Sequence, residues 1–170
     1  AYAPTAMELL KNQTRTVDAP LNGTYPRTGK AITILKTSAG DIRINLIHRH
    51  AACNDAAFEK LIEAKYFNNT SCHRMFNSEQ GSVLQCGDPT GTGMGDPGFY
   101  TPDELPEYLI NAAGAEYGMQ AQQITYPKGT VAVANSGPNT GSGQFFIALT
   151  DTQLAPSYTA VSYTHLTLPT

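Results

Sequence analysis

The stretch VANSGPNT at residues 133–140, with SGQFFI at residues 142–147, decides the fold. An apolar run ends there in a segment rich in Asn and Gly, and a second apolar run follows. Short apolar runs bounded by turn-forming residues predict β-strands joined by loops. The strands expected here span residues 129–134 and 144–149, and residues 82–85 form another such run. The chain is therefore predicted to be mainly β.

The region upstream of these runs predicts a β-hairpin. Ile32 and Ile34 alternate with polar neighbours, residues 37–40 supply turn-forming side chains, and residues 41–46 resume the alternation. Alternation with a period of two is typical of strands that bury one face. We expect the apolar residues of both strands to form that face.

A helix is predicted after the hairpin. Apolar residues recur at helical spacing between residues 57 and 62, and Asn54 or Asp55 can cap the first turn. The helix is expected to end before residues 67–69 and to lie on the sheet.

Length and composition indicate one globular domain, since the chain has 170 residues, 41% hydrophobic and 15% charged. Residues 1–30 are predicted as an extended arm with a weak helix at 6–12, and residues 31–160 as the domain. Within the domain, residues 101–128 are expected to form a surface excursion with some helix at 107–113.

The net charge of −3, with 11 basic and 14 acidic residues, leaves no electrostatic footprint for nucleic acid or an anionic membrane. We find neither an apolar stretch of about 18 residues nor a signal-peptide pattern, so no membrane span is expected in the visible chain. The first residue is Ala1 instead of Met, so the N-terminus is expected to be incomplete. Either a cytoplasmic or an extracytoplasmic compartment remains open.

The three cysteines, Cys53, Cys72 and Cys86, show neither CxxC spacing nor a nearby pair of histidines. This pattern argues against a zinc site. We interpret them as three buried thiols, with a Cys53–Cys72 disulfide as the alternative in an oxidising compartment.

Three blocks together resemble the cyclophilin family of peptidyl-prolyl cis-trans isomerases, in a bacterial form. They are CHR at residues 72–74, VLQCGDPTGTG at residues 83–93, and the stretch at residues 133–147. The third block is the most specific, and the similarity covers about residues 31–160. It implies a closed antiparallel barrel capped by helices, with neither metal nor cofactor.

The resemblance also assigns roles to single residues. Arg74 matches the arginine that family members direct at the substrate's prolyl bond, and Gln85 matches a glutamine that helps to hold it. The apolar wall of the proline pocket is matched by Phe146, Val83 and Leu154, with Val83 in place of a common methionine.

Other positions match the rim of the groove. Ala134, Asn135 and Gln144 match positions that line the groove and bond the substrate backbone, and Gly93 lies on a rim turn that lets substrate approach closely. Tyr158 stands where many members carry a histidine. Because Tyr158 can still close the pocket and donate a hydrogen bond, we expect altered affinity and retained chemistry.

Two further departures concern the segment after Arg74. Ser82 stands where many members have a large aromatic or apolar residue, and residues 75–81 form a predicted loop longer than the commonest form. Their register to the family pattern is open by a residue or two.

The function implied by the resemblance is isomerisation of X–Pro bonds in unfolded or flexible polypeptides, which assists folding. The implied partners are proline-containing peptides and cyclosporin-like cyclic peptides, and the implied state is a monomer. One alternative is a proline-segment binding module or chaperone with little turnover, but such a module does not need Arg74. Another is a β-barrel carrier of small apolar ligands, which leaves the polar set around Arg74 without a role.

The last residues, VSYTHLTLPT at 161–170, depart from the family pattern and look like the translation of a sequencing-library adapter. We therefore expect a truncated domain without the last strands and second helix. Residues 161–170 are expected to pair poorly, and the chain to be marginally stable and weakly active.

Overall fold

The computed structural model describes residues 15–20, 28–105 and 123–163. The strands are β1 (Lys30–Thr37), β2 (Gly40–Ile47), β3 (Arg74–Ser78), β4 (Gly81–Cys86), β5 (Ile124–Tyr126), β6 (Thr130–Val133), β7 (Phe145–Ala148), β8 (Thr152–Leu154) and β9 (Ala160–Tyr163), and the helix is α1 (Ala52–Glu63). The predicted helices at 6–12 and 107–113 lie outside the described residues. Within them, no helix is both long enough and apolar enough to cross a membrane.

Seven strands form one antiparallel sheet in the order β1-β2-β9-β6-β7-β4-β3, and β5 pairs with β8 in a separate two-stranded ribbon. The prediction of a mainly antiparallel β fold is confirmed. Among the described residues, β1 and β3 are the two edge strands of this sheet, and no pairing between them is seen. Closure into a barrel therefore stays a prediction.

The main core lies between helix α1 and one face of the sheet. Phe58 of α1 makes an edge-to-face contact with Phe145 of β7 at 5.3 Å between ring centroids, and Phe67 lies 5.1 Å from Phe58. Such aromatic pairs stabilise a core by about 0.5–1.5 kcal/mol beyond the area that they bury. The helix is thus fixed to the strands at the centre of the sheet, as expected.

Strand β1 presents the opposite face from the one we predicted. Ile32 and Ile34 are 56% and 53% exposed, whereas Ile44 and Leu46 of β2 are fully buried. The register pairs Thr33 with Ile44, and directly opposed side chains share a face of a sheet. The odd-numbered residues of β1 therefore point to the core, and the isoleucines point away from it.

The predicted caps of α1 are wrong. The N-cap is Ala51, so Asn54 and Asp55 lie inside the helix. A distant carboxylate replaces the missing cap: Glu104 accepts hydrogen bonds from the backbone amides of Cys53 and Asn54 at 3.1 and 2.9 Å. The first amides of an α-helix have no carbonyl in a preceding turn, so a carboxylate there both accepts from them and interacts favourably with the helix dipole.

Residues 75–81 form a strand and a tight turn, and our prediction of a long loop is wrong. Strand β3 pairs with β4 from Arg74↔Gln85 to Ser78↔Gly81, so only residues 79–80 turn the chain. The sequence RMFNS has no clear apolar alternation, because its side chains are mostly exposed on both faces.

Residues 161–163 belong to an internal strand. Our expectation that they pair poorly is therefore wrong. Strand β9 lies between β2 and β6, and Ser162 is opposite both Leu46 and Val131. Val161 is 1% exposed and joins the core. An apolar β-branched residue at this place fits the sheet whatever its origin. Residues 164–170 lie outside the described part of the chain.

A disulfide joins Cys72 and Cys86, so the interpretation of three buried thiols and the alternative Cys53–Cys72 pair are both wrong. The pairing of Arg74 with Gln85 brings the start of β3 beside the end of β4. The two cysteine Cα atoms are therefore only 3.9 Å apart. The unrecognised β3–β4 hairpin is the reason that the sequence did not reveal this pair.

We expect reduction of this disulfide to lower the free energy of unfolding by about 2–3 kcal/mol, because a cross-link over 14 residues restricts the unfolded chain. Urea unfolding with and without a phosphine reductant measures the change. The double variant Cys72→Ala/Cys86→Ala is the control, since the reductant should not alter its midpoint. Equal midpoints for the oxidised and reduced parent would contradict the expectation.

Candidate functional site

A row of side chains crosses four neighbouring strands. Arg74 of β3 is opposite Gln85 of β4, Gln85 is opposite Phe146 of β7, and Phe146 is opposite Ala132 of β6. Directly opposed residues of antiparallel strands point to the same face. The sheet thus brings the guanidinium of Arg74, the amide of Gln85 and the ring of Phe146 to one side. Arg74 is exposed, while Phe146 is 5% exposed.

A second row runs parallel to the first and includes a residue that the sequence analysis missed. Phe76 is opposite Val83, and Val83 is opposite Ala148. Because side chains two residues apart share a face of a strand, Phe76 lies on the same face as Arg74, and it is 39% exposed. The recognition of β3 as a strand would have revealed it, since Phe76 follows Arg74 at a spacing of two.

Ser82 has a structural role on the opposite side of β4. It is 7% exposed, its backbone amide donates to the Thr152 hydroxyl at 3.2 Å, and its own hydroxyl donates to the Phe76 carbonyl at 3.3 Å. A large aromatic residue does not suit a position packed against β8. The exposed aromatic residue in this region is Phe76.

Apolar residues form a second, smaller core beside the two rows. Phe146 and Ala132 are buried in it together with Ile124 and Tyr126. The partly buried residues packed against it are Val83, Ala134, Leu154 and Tyr158. The residues predicted to line the proline pocket thus gather in one cluster, separate from the main core around Phe145.

Tyr158 is held by its backbone as well as by its ring. The ring makes an edge-to-face contact with Phe146 at 5.3 Å, and the Tyr126 hydroxyl donates to the Tyr158 carbonyl at 2.9 Å and accepts its amide at 3.1 Å. Burial raises the pKa of Tyr126 to about 12, although the hydrogen bond with the Tyr158 backbone acts in the opposite direction. The hydroxyl therefore keeps its proton at physiological pH and remains a donor.

The Gln144 side chain forms hydrogen bonds both with Gln85 of the first row and with the loop after β4. Its carbonyl oxygen accepts from the Gln85 amide at 2.8 Å, and its own amide donates to the carbonyls of Gly93 and Gly95, both at 3.0 Å. The backbone carbonyl of Gln144 also accepts from the Ala134 amide at 2.9 Å. Gln85, Gly93, Ala134 and Gln144 therefore lie together.

Asn135 uses its side chain within the protein. The amide donates to the Ser157 carbonyl at 2.7 Å, and the side-chain oxygen accepts from the Gly137 amide at 3.2 Å. The first bond ties the loop after β6 to the segment that carries Tyr158, and the second lies within that loop. The Asn135 side chain is therefore engaged within the protein at both its nitrogen and its oxygen.

His73 lies under the loop after β4. Both ring nitrogens are buried without a hydrogen-bond partner among the described residues, and a Cβ at Gly93 would be 3.5 Å from Nε2. The ring thus lies against the loop at Gly93. Within the described residues, no group of three or more His, Cys, Asp and Glu side chains could hold a metal ion.

Comparisons with known proteins agree with this arrangement. The profile of the family "Cyclophilin type peptidyl-prolyl cis-trans isomerase/CLD" matches residues 32–164. The chain is 38% identical over 141 residues to a probable peptidyl-prolyl cis-trans isomerase B of Mycobacterium tuberculosis, covering 79% of this chain and 45% of the relative. It is 37% identical over 161 residues to the corresponding Mycobacterium leprae protein, covering 93% of this chain and 52% of that protein. The chain thus spans about half the length of these curated relatives.

A solved structure shares the fold. The cyclophilin-type peptidyl-prolyl cis-trans isomerase of Cryptosporidium parvum matches with a TM-score of 0.58 and 27% sequence identity, over 79% of this chain and 77% of that one. A structure of the same protein in the presence of the dipeptide Ala-Pro matches with a TM-score of 0.57 and 26% identity, over 78% and 77% of the two chains.

Proposed function

This chain belongs to the cyclophilin-type peptidyl-prolyl cis-trans isomerase family, and from that premise we propose that it accelerates rotation about X–Pro bonds in proline-containing peptides and unfolded proteins. The observation that carries the proposal is the row across β3, β4 and β7. It places an exposed arginine and a buried phenylalanine on one face, with Gln85 between them. A groove of this kind offers a donor and an apolar clamp side by side.

The reaction needs no bond to be made or broken. Partial double-bond character imposes a barrier of about 18–20 kcal/mol on the X–Pro amide, so uncatalysed rotation takes tens to hundreds of seconds. In the twisted state the nitrogen loses conjugation and its lone pair becomes available. A catalyst has only to bind this twisted state better than either planar state.

Arg74 suits that requirement because its guanidinium is a permanent donor. Arginine stays protonated at physiological pH and has five N–H groups in a fixed fork. We assign it to the freed lone pair of the prolyl nitrogen. A rate enhancement of about a million-fold corresponds to about 8 kcal/mol, which a few preorganised contacts can supply.

The apolar cluster suits the pyrrolidine ring. Phe146 is buried in it, and the partly buried residues packed against it are Val83, Ala134, Leu154 and Tyr158. We assign these residues to clamping the ring while the carbonyl side rotates. Gln85, Gln144, Gly93 and the backbone of Asn135 are assigned to the peptide on either side of the proline.

A peptide with one Ala-Pro bond tests the proposal. Exchange between its cis and trans signals, measured by NMR at several concentrations of the chain, should become faster in proportion to concentration. A cyclosporin-like cyclic peptide should compete for the groove and slow the exchange again. Binding of the peptide without faster exchange would overturn the proposal in favour of a proline-segment binding module.

A further inference from the structure

In the loop after β4, residues 87–96, several backbone groups bond one carboxylate, that of Asp88. Asp88 is fully buried, and its Oδ2 accepts backbone amides from Thr92, Gly93 and Gly95 at 3.2, 2.6 and 3.2 Å. Its Oδ1 accepts the amide and the hydroxyl of Thr90 at 2.8 and 2.7 Å. Five donors thus converge on a single side chain, so its two oxygens determine the path of the loop.

The charge of Asp88 is stable in this place. Burial alone would raise the pKa of the carboxyl, but the hydrogen bonds from Thr90, Gly95 and Gly93 outweigh burial and lower the pKa below its usual value. Hydrogen bonds to a charged acceptor are roughly twice as strong as neutral ones. The loop is therefore held by an ionised side chain throughout the physiological pH range.

Two of the residues that donate to Asp88 also bond the side chain of Gln144. Gly93 and Gly95 donate their amides to Asp88, and their carbonyls both accept hydrogen bonds from the Gln144 side-chain nitrogen. With its nitrogen committed to the loop, Gln144 must present its oxygen to Gln85, which donates to it at 2.8 Å. A continuous path of hydrogen bonds thus runs from Asp88 to Gln85.

We propose that Asp88 is a positioning residue for the isomerase site: it fixes the loop so that Gln144, and through it Gln85, stand in the orientation that the bound peptide needs. This inference rests on the proposed function, because it assigns Asp88 to the same groove. Asp88 itself is fully buried and acts only through the loop and the two glutamines. Its removal misplaces groove contacts and leaves Arg74 and Phe146 on their strands.

Asp88→Asn tests the proposal, because it keeps the size of the side chain and replaces one acceptor oxygen by a donor. We expect kcat/KM for the Ala-Pro peptide to fall about tenfold to a hundredfold, as misplaced groups do. The side-chain NH2 signals of Gln85 and Gln144 in ¹H–¹⁵N spectra should shift or broaden. Asp96→Asn is the matched control, since Asp96 bonds only the Gly98 amide among the described contacts, and it should leave kinetics and signals unchanged.

A lower melting temperature for Asp88→Asn, with kcat/KM and both NH2 signals as in the parent, would overturn the proposal and leave Asp88 a purely structural role. If Asp88→Asn does not fold, Gly95→Ala decides by the same readouts, because a Cβ there collides with Asp88 Oδ1 while the carboxylate remains. A parent chain without isomerase activity would refute the proposed function instead. The NH2 signals would still show whether Asp88 fixes the two glutamines.

Discussion

Arg74→Ala is expected to lower kcat/KM for X–Pro isomerisation by about a hundredfold to a thousandfold, which is the usual cost of removing one aimed donor from a transition state. The side chain is exposed at the start of β3, so the free energy of unfolding should change by less than about 0.5 kcal/mol. The large loss of activity with a small change in stability is the signature of a catalytic contact. NMR exchange and urea unfolding measure the two quantities.

Two further variants distinguish the effect of the directed guanidinium donor from the effect of its positive charge. Arg74→Lys keeps the charge but loses the planar fork, so most of the activity should still be lost. Arg43→Ala is the control. Arg43 is an exposed arginine of β2 that pairs with Ile34 of β1, away from β3 and β4, so this variant should retain full activity. An Arg74→Ala variant with activity within a few-fold of the parent would show that the donor is dispensable.

Phe146→Ala is expected to reduce the free energy of unfolding by about 3–5 kcal/mol, because it removes a ring from a buried cluster and leaves a cavity. Peptide binding should weaken as well, since the same ring forms the floor of the proposed proline pocket. Urea unfolding of the Ala variant measures the first effect. The milder Phe146→Leu variant, which keeps more of the volume, allows KM to be measured on folded protein.

Phe145 supplies a matched control for this prediction. The two rings are adjacent on β7 and 3% and 5% exposed, yet Phe145 belongs to the main core and Phe146 to the smaller one. Phe145→Ala should therefore destabilise the chain to a similar extent, while Phe145→Leu leaves KM unchanged. An equal rise in KM for both Leu variants would show that the effect reports general loosening of the sheet.

The parts of the fold that the sequence predicted are those with a clear local pattern. Strands β4, β6 and β7 are apolar runs between turn residues, and α1 has helical spacing, so each was found. Strand β3 was missed because RMFNS is exposed on both faces and lacks the alternation that marks a half-buried strand. Its absence from the prediction also concealed the Cys72–Cys86 disulfide and Phe76.

Other features depend on contacts between distant residues and leave no local signal. The cap of α1 comes from Glu104, and the orientation of Ile32 and Ile34 follows from the register with β2. The residues assigned to the proposed site could be named from the family resemblance, but their order across the sheet could not. Asp88 was visible in the sequence only as part of a motif, and its role emerges from the amides that surround it.

The row from Arg74 to Ala132 has a consequence for how this molecule reaches its active form. Its members come from four strands that are neighbours in the sheet, and the pairing of Gln85 with Phe146 joins residues far apart in the chain. Contacts of this length form late, because the entropy of closing the intervening segment is lost before they stabilise the structure. The complete row is therefore expected only once all four strands are paired, and the proposed activity should appear no earlier than the assembled sheet.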